Sequence, residues 1–201
     1  MSQDTHYYTI EKMAIAEFKD RGSKFIAHAY PIASAIDFKE KLTVSKKEHP
    51  KAVHHCFAYR IGTDGNNYRM SDDGEPSGSA GRPILGQIDS KQLTNVLIIV
   101  VRYFGGTLLG VPGLINAYKT ATADALAAAV IIQKPVLVNY RLQFDYTKMN
   151  EVMRAIRQFD CVVLKQEMQL FCILETGIPM EHLAACLARL KELQTVETEK
   201  I

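Results

Sequence analysis

The apolar positions in the first quarter of the chain predict a β-hairpin followed by a helix. Tyr7–Ala16 and Lys24–Pro31 have strand composition, and residues 20–23 between them have turn composition. Ser34 is a suitable N-cap for a helix that runs to about Glu48. The buried side of this helix is predicted to carry Ala35, Phe38 and Leu42.

The middle of the chain predicts a central strand between a glycine-rich loop and an alanine-rich helix. His54–Ile61 is predicted to be a strand, and a long glycine-rich loop follows it. Within Leu93–Phe104, the segment Val96–Val101 is apolar on both faces, which is typical of a strand at the centre of a sheet. Gly113–Val130 carries many alanines, and small side chains let a helix lie close against a sheet.

A domain boundary is predicted near residues 133–135, where the alanine-rich helix ends. Pro135 cannot continue a helix. Ten of the 12 glycines lie between Gly62 and Gly113, and only Gly177 lies beyond the boundary. We therefore predict one domain at 1–132 and a second at 136–201.

The second region has the element order βαββαβ. Its predicted strands are Val136–Tyr146, Cys161–Met168, Gln169–Thr176 and Thr195–Lys200. Thr147–Phe159 has helical spacing, and Pro179 is predicted to open a second helix. This order is that of the ferredoxin-like fold, in which two helices cover one face of an antiparallel sheet. The fold class is therefore predicted to be α+β with two domains.

Composition limits the functions that the chain can have. The formal charge is only +2, so nucleic-acid binding would need a local basic patch. The chain has no apolar run near the roughly 20 residues that span a bilayer. The polar start Met1–Asp4 lacks a signal-peptide core, so we expect a cytoplasmic protein without membrane contact. The cysteines lack metal or redox spacing and are interpreted as reduced, buried residues: Cys56, Cys161, Cys172 and Cys186. We expect no cofactor and no bound metal.

Two runs, 71–85 and 101–114, combine glycine, proline and charged residues in an order that no packed helix or strand requires. Gly105, Gly106 and Gly110 lie between a buried strand and a helix, where backbone N–H groups can gather around an anion. The run is not a Walker A sequence, because Val111-Pro112 stands where Lys-Ser/Thr should follow. The alternative is a tight strand-to-helix crossover that only glycine fits.

Charged residues in these runs have two interpretations each. Arg82 and Arg102 are suited to bidentate phosphate contacts, or they pin the loops. Tyr103, next to Arg102, is suited to stacking on a base. Asp72, Asp73 and Glu75 have the chemistry for a divalent cation or for acid–base work, but they also suit capping of backbone N–H groups, which we favour.

The neighbouring histidines offer little for catalysis. His54 and His55 point to opposite faces of their predicted strand, so they are not a ready metal pair. Cys56 shares a face with His54, but residues two apart on a strand rarely reach the geometry of a nucleophile and its base. The chain also lacks the Gly-x-Ser-x-Gly and His-Glu-x-x-His motifs.

The two runs resemble the signatures of a known family. Ser71–Leu85 resembles the Asp-Asp-Gly-Glu-Pro-Ser-Gly-(Ser/Thr)-Ala-Gly signature of the IMPACT/YigZ family, and Val101–Tyr118 resembles its second signature, Arg-Tyr-Phe-Gly-Gly followed by Leu-Gly and Gly-Leu. His54–Gly62 and Gly22–Ala27 are similar to family segments as well. The resemblance covers essentially the whole chain.

The resemblance implies both a fold and a field of action. The first domain should have the α/β fold related to ribosomal proteins and to a domain of elongation factor G, and the second should be ferredoxin-like. Eukaryotic members regulate translation through a protein partner, by blocking activation of a kinase that senses amino-acid starvation. Bacterial members have no settled activity, and nucleic-acid or ribosome binding has been inferred for them mainly from the fold.

The chain departs from the family pattern beside the second signature. Leu108 and Asn116 stand where basic residues are common, and Pro112 replaces a usual glycine. These departures weaken the phosphate-binding hypothesis, because they leave only Arg82, Arg102 and Lys119 to supply charge.

Our leading hypothesis is a non-enzymatic protein that binds RNA, a ribosomal component or a translation factor. The predicted binding residues are Asp72, Asp73, Gly74, Glu75, Pro76, Ser77, Gly78, Gly81, Arg82, Arg102, Tyr103, Gly105, Gly106 and Gly110. One alternative is a hydrolase of a phosphorylated or peptide-like small molecule, with the acidic loop and His54 or His55 as its chemistry. Another is protein–protein regulation, in which the loop is a rigid docking element.

Overall fold

The computed structural model describes residues 5–169 and 171–201 and divides into two compact units. One unit is Tyr7–Lys134; the other contains Pro135–Ile201 together with Thr5 and His6. The α+β, two-domain fold class is confirmed, whereas the bounds 1–132 and 136–201 stay a prediction. The expectation for Met1–Asp4 and the Leu170 position of the predicted strand Gln169–Thr176 lie outside the described residues.

The larger unit combines antiparallel strands with three helices. Its strands are β1 (His6–Ile10), β2 (Ala14–Asp20), β3 (Ser23–Pro31), β4 (His54–Ile61), β5 (Asn67–Ser71), β6 (Val96–Tyr103) and β7 (Ile131–Pro135). Its helices are α1 (Ala35–Glu48), α2 (Gly81–Ser90) and α3 (Gly110–Ala128). β1 pairs with β7, and the main sheet has the order β2-β3-β6-β4-β5.

The main sheet is covered on both faces, with β6 at its centre. Val96, Ile98 and Val100 pack in the core beneath α2 and α3. The intervening Leu97, Ile99 and Val101 pack on the opposite face, where α1 contributes Phe38. Because successive side chains of a strand alternate, Arg102 continues the α2/α3 face of β6 and Tyr103 continues the α1 face. The prediction of a central strand is confirmed.

Helix α1 follows the prediction closely. The Ser34 hydroxyl accepts a hydrogen bond from the Asp37 amide, and the Asp37 carboxylate accepts one from the Ser34 amide, which completes a capping box. Phe38 is buried and Leu42 half-buried, as expected, but Ala35 is exposed. The local signal was sufficient here because the cap and the helix lie within a few residues of one another.

Three other predictions for the larger unit were wrong or incomplete. Tyr7–Ala16 is not one strand; it divides into β1 and β2, which belong to different sheets, and only β2 forms the hairpin with β3. Strands β5 and β7 and helix α2 were not predicted. Helix α2 contains glycine and proline, and its apolar side comes only from Ile84, Leu85 and Ile88, which pack against the rest of the core. Helix α3 begins at Gly110, three residues before the predicted start.

The smaller unit has the predicted βαββαβ order. Its elements are β8 (Leu137–Asp145), α4 (Met149–Gln158), β9 (Val162–Met168), β10 (Phe171–Pro179), α5 (Leu183–Glu192) and β11 (Glu197–Lys200). The sheet is antiparallel with the order β11-β8-β10-β9. Leu142 and Leu174 pack against Ile156 of α4 and Leu190 of α5. Pro179 ends β10 and does not open the helix, because a short 3-10 turn at Met180–His182 precedes α5.

The sheet face opposite α4 and α5 is charged. Arg141 of β8 pairs with Glu175 of β10 and Glu199 of β11, and Lys165 pairs with Glu167 on β9. Asp145 and Glu197 share this face by their register. The face therefore carries five carboxylates against two cations.

Candidate functional site

The first signature run forms a compact loop between β5 and α2, which we call the signature loop (residues 72–81). The chain reverses direction where Asp73, Gly74 and Gly78 adopt positive φ angles of 43°, 91° and 74°. Two backbone hydrogen bonds close its turns, from the Glu75 amide to the Asp72 carbonyl and from the Ser79 amide to the Pro76 carbonyl. Positive φ suits glycine, which explains two of the glycines in the run.

Asp72 holds the signature loop in shape. Its carboxylate accepts hydrogen bonds from the amides of Gly78 at 2.9 Å, Ala80 at 3.0 Å and Gly81 at 2.8 Å. Burial alone would raise the pKa of the Asp72 carboxyl, but the three amides outweigh it and the pKa is lowered. The capping interpretation of this residue is confirmed, because its oxygens are occupied by the loop's own backbone.

Asp73 attaches the loop to β4. Its carboxylate accepts a hydrogen bond from the His55 amide at 2.7 Å, and its carbonyl oxygen lies 2.7 Å from His54 Nδ1. A carbonyl oxygen only accepts, so Nδ1 carries the proton in this contact. The neighbouring Gly74 lies against the same imidazole, where a Cβ atom would stand 3.4 Å from the ring. Hydrogen bonds therefore attach the signature loop to the first two residues of β4.

Glu75 is the only carboxylate-bearing residue classed as buried among the described residues, and it joins two distant elements. Its Oε1 accepts hydrogen bonds from Arg102 Nη1 of β6 at 2.6 Å and from the Tyr118 hydroxyl of α3 at 2.8 Å. The side chains of Glu75 and Arg102 are only 3% and 7% exposed. Its other oxygen lies 3.9 Å from His54 Nε2. A buried charge of this kind requires such partners.

Arg102 is an interior residue, which the surface interpretation did not anticipate. Its guanidinium lies over the rings of Phe25 and Phe104, at 5.5 and 5.6 Å from their centroids. Nη2 contacts the Ser23 hydroxyl at 3.5 Å, and Nε has no hydrogen-bond partner within the described part of the chain. The loop-pinning interpretation fits this arrangement, because the charge is neutralised by Glu75 and withdrawn from solvent.

Cys56 lies beneath the signature loop and is held by hydrogen bonds. Its thiol donates to the Asp72 carbonyl at 3.0 Å and contacts the Tyr118 hydroxyl at 3.3 Å. Burial raises the pKa of the Cys56 thiol and of the Tyr118 hydroxyl. A thiol that stays protonated is a poor nucleophile, so the geometry does not favour a Cys56/His54 catalytic pair.

The second signature run crosses another segment of backbone at close range. A Cβ atom on Gly105 would lie 1.9 Å from the Gly22 carbonyl carbon and 2.1 Å from the Ser23 nitrogen. The Gly105 amide donates to the Ser23 hydroxyl at 3.2 Å. The tight-crossover interpretation is confirmed for Gly105, because no other residue fits. Gly106 and Gly110 have φ angles of 87° and 69°.

Tyr103 does not share a face with Arg102. Its hydroxyl is hydrogen-bonded to His49 Nδ1 at 2.9 Å, and Lys24 Nζ lies 5.6 Å from its ring centroid. Both contacts are on the α1 side of the sheet, whereas the signature loop packs on the α2/α3 side. The sequence-based grouping of Arg102 and Tyr103 on a single binding surface is therefore corrected.

The exposed part of the site is mostly uncharged. Gly74, Pro76, Ser77 and Arg82 reach the surface of the signature loop. The segment 104–115, which leads into the start of α3 and which we call the apolar segment, exposes large side chains that the sequence-based hypothesis did not group together. They are Phe104 (48% exposed), Leu108 (81%), Val111 (45%) and Ile115 (39%).

Sequence reasoning missed Ser23 and Tyr118 as members of the site. Both lie in segments that resemble the family, but each is far along the chain from Glu75, and nothing local shows that its hydroxyl reaches the buried Glu75–Arg102 pair. The signal for the apolar segment was present, since Leu108 stands where the family resemblance expects a basic residue.

Comparison with known proteins places this geometry in a family. The model of the Impact N-terminal domain matches residues 21–126, which include both signature runs and the Ser23, Arg102 and Tyr118 positions. The chain belongs to the IMPACT family. IMPACT family member YigZ of Escherichia coli is 34% identical to this chain, over 87% of this chain and 85% of the YigZ chain. Protein IMPACT of Rattus norvegicus is 35% identical over 47% of this chain, but the match spans 31% of the rat protein.

A solved structure is similar to this chain over almost the whole length of both proteins. A protein described as "Crystal structure of an hypothetical protein" matches with a TM-score of 0.80 and 28% identity, over 98% of both chains. Across residues 5–169 and 171–201, none of the helices combines the length and the apolar character needed to cross a membrane.

Proposed function

We propose that this IMPACT family chain is a non-enzymatic binding protein that docks a protein of the translation machinery on the surface beside the signature loop. The observation that carries the proposal is the apolar segment, whose four large side chains are 39–81% exposed next to a loop that is rigidly bonded to the sheet. Large exposed apolar side chains that are concentrated in one segment, unlike those scattered singly over a surface, often mark sites of protein association.

The state of the carboxylates favours binding over hydrolysis. Acid–base chemistry needs a carboxyl group that can exchange a proton with substrate. The oxygens of Asp72 are occupied by three amides, and Glu75 is bonded to Arg102 and Tyr118. The hydrolase alternative would require these bonds to be broken first, so the geometry supports a structural role for the acidic loop.

The charge distribution favours a protein partner over RNA. Arg102 is neutralised in the interior. The cations that stay exposed nearby are few: Arg82 lies in the first turn of α2, and Arg21 donates to the Leu108 and Leu109 carbonyls of the apolar segment. The open sheet face of the ferredoxin-like unit has five carboxylates against two cations, which would repel a phosphate backbone. An apolar segment, by contrast, suits the core of a protein interface.

Family membership supports the choice of a translation-associated partner. The resemblance of the signatures is to proteins whose eukaryotic members act on translation through a protein. The experiment therefore compares the candidate classes of partner directly.

The test measures binding of the purified full chain to ribosomes, to purified translation factors and to single-stranded RNA at two salt concentrations. We expect binding to a ribosomal or factor protein that depends weakly on salt. Leu108→Glu/Ile115→Glu should weaken it by about tenfold or more, equivalent to roughly 1.4 kcal/mol. Ile36→Glu, which changes an exposed residue of α1 in the same unit, is the matched control and should leave binding unchanged.

Two results would overturn the proposal. Steeply salt-dependent binding to RNA that is lost in Arg82→Ala would favour the nucleic-acid hypothesis. Binding to none of the three classes by folded wild-type protein would remove the translation-associated function itself.

A further inference from the structure

Two thiols of the ferredoxin-like unit touch one another. Cys161 Sγ lies 3.7 Å from Cys186 Sγ. Cys161 is half-buried and follows the end of α4, whereas Cys186 is fully buried on α5. We propose that this pair is an oxidative modification site, at which a peroxide converts the two thiols into a disulfide. The inference is independent of the proposed function, because it involves neither the signature loop nor the apolar segment.

Their mutual contact distinguishes Cys161 and Cys186 from the other two cysteines. Cys56 is bonded to the Asp72 carbonyl and the Tyr118 hydroxyl in the other unit, and the Cys172 thiol points to the Gln169 carbonyl at 3.9 Å. Within residues 5–169 and 171–201, Cys161 and Cys186 are the pair whose sulfurs are in contact. A peroxide that enters this unit therefore meets one thiol with a resolving partner beside it.

The local backbone allows the sulfurs to approach bonding distance. A disulfide needs a separation of about 2.05 Å, so the sulfurs must close by less than 2 Å. Cys161 lies between the turn that ends α4 and the first residue of β9, and not inside a helix or strand. The preceding Asp160 has a φ of 52°, and the Cys161 amide donates to the Ile156 carbonyl at 3.0 Å. A side chain in a turn at the end of a helix adjusts more easily than two side chains fixed on facing helices.

The contact also differentiates the two thiols. The contact with Cys161 lowers the pKa of the Cys186 thiol against the effect of burial, and the contact with Cys186, together with burial, raises the pKa of the Cys161 thiol. The thiolate form is the attacking species in disulfide formation. Cys186 is therefore the better thiolate for the resolving attack. Exposure decides the first step, because Cys161 is half-buried and Cys186 is fully buried, so peroxide reaches Cys161 first.

The reaction balances with hydrogen peroxide as the oxidant. The Cys161 sulfur attacks one peroxide oxygen, the O–O bond breaks, and Cys161 becomes a sulfenic acid while one water leaves. The Cys186 sulfur then attacks the Cys161 sulfur, the S–O bond breaks, and the hydroxyl leaves with the Cys186 proton as a second water. Together the two thiols lose two electrons and two protons, and the peroxide accepts both.

The disulfide would join the end of α4 to α5 across a sequence separation of 25 residues, which contains β9 and β10. A cross-link of this length restricts the unfolded chain and thereby stabilises the folded unit. Oxidation should therefore raise the thermal midpoint of the ferredoxin-like unit, and a dithiol reductant should restore the original midpoint.

The experiment treats the full chain with hydrogen peroxide, alkylates the remaining thiols and determines intact mass and cross-linked peptides without reduction. We expect the loss of two hydrogen atoms and a linked pair of peptides that contain Cys161 and Cys186. The Cys56→Ser/Cys172→Ser variant should behave in the same way. Cys161→Ser should abolish the cross-link, and because this residue is half-buried its fold is checked by circular dichroism.

Cys186→Ala provides a second test that does not depend on the first variant. It should leave Cys161 as a sulfenic acid that reacts with a dimedone-type probe. The proposal is wrong if wild-type Cys161 proceeds to sulfinic acid without a cross-link, if the linked peptides involve Cys56 or Cys172, or if peroxide leaves all four thiols free for alkylation.

Discussion

Replacing Glu75 by glutamine tests the interpretation of the buried network. The substitution keeps the size of the side chain and an oxygen that can still accept from the Tyr118 hydroxyl, but it removes the negative charge opposite Arg102. The Arg102 guanidinium would then keep its full charge in an interior where its side chain is 7% exposed. The change therefore isolates the ion pair from the packing of the loop.

The expected loss of stability follows from the few contacts that Arg102 keeps after the substitution. Nε already lacks a hydrogen-bond partner within the described residues, and the side-chain hydrogen bond that remains besides residue 75 is a long one, to the Ser23 hydroxyl at 3.5 Å. Removal of one partner from a buried ion pair typically costs about 3–5 kcal/mol, because the other charge stays buried without compensation. We expect Glu75→Gln to lower the free energy of unfolding of the larger unit by an amount in this range.

A second substitution should recover part of the loss. Met is apolar, unbranched and flexible, although shorter than Arg, and it would pack near the rings of Phe25 and Phe104. The Glu75→Gln/Arg102→Met double variant removes both charges, and replacement of both members of a buried pair is often nearly neutral. The double variant should be more stable than Glu75→Gln alone.

The assay is urea unfolding followed by far-ultraviolet circular dichroism, since the chain has no tryptophan. Hydrogen exchange of peptides from β4 and β6 assigns the transition to the larger unit, because a two-domain chain need not unfold in one step. The matched control is Asp89→Asn, which breaks the Arg60–Asp89 pair of equal length, 2.6 Å, in the same unit. Its side chains are 19% and 44% exposed, so we expect a loss of at most about 1 kcal/mol.

The reasoning fails if Glu75→Gln costs less than about 1 kcal/mol, because the pair would then contribute no more than a surface contact. It also fails if the double variant is less stable than Glu75→Gln alone. That outcome would mean that the polar groups are required for reasons other than their mutual charge.

Two further predictions concern glycine and histidine. Gly105→Ala should destabilise the larger unit in urea unfolding by about 3 kcal/mol or more, because the new Cβ would overlap the Gly22 backbone. Gly86→Ala in α2 is the control: a Cβ at this position would have no neighbouring atom within 4 Å, so the change should stabilise the unit by about 0.5–1 kcal/mol. Burial lowers the pKa of His28 and His55 from the ordinary value of 6.5. As the pH falls below this value, the two imidazoles bind protons in the unfolded chain more readily than in the folded chain. Stability should therefore be complete above about pH 6.5 and fall below it, and a His28→Gln/His55→Gln variant that keeps the wild-type pH slope would disprove this assignment.

Local patterns in the sequence determined the elements whose signals lie within a few residues of one another. The N-cap at Ser34 and the central β6 were correctly predicted. So was the βαββαβ order of the second unit, because a helix cap, a helical stripe and an apolar strand are each complete in a short segment. The signature runs were equally visible, and their residue order identified the family.

Only the tertiary structure decided what the signature residues do. Glu75 contacts Arg102, 27 positions along the chain, and Tyr118, 43 positions along it. Gly105, just after β6, contacts Gly22 in the turn between β2 and β3. The sequence could not show whether Arg102 faces solvent or a carboxylate, because that depends on which loop packs over the α2/α3 face of β6. Helix α2 illustrates the same limit: its local propensity is weak, and burial of three apolar side chains against distant strands stabilises it. Local order follows from neighbouring residues, whereas burial and charge pairing require the folded chain.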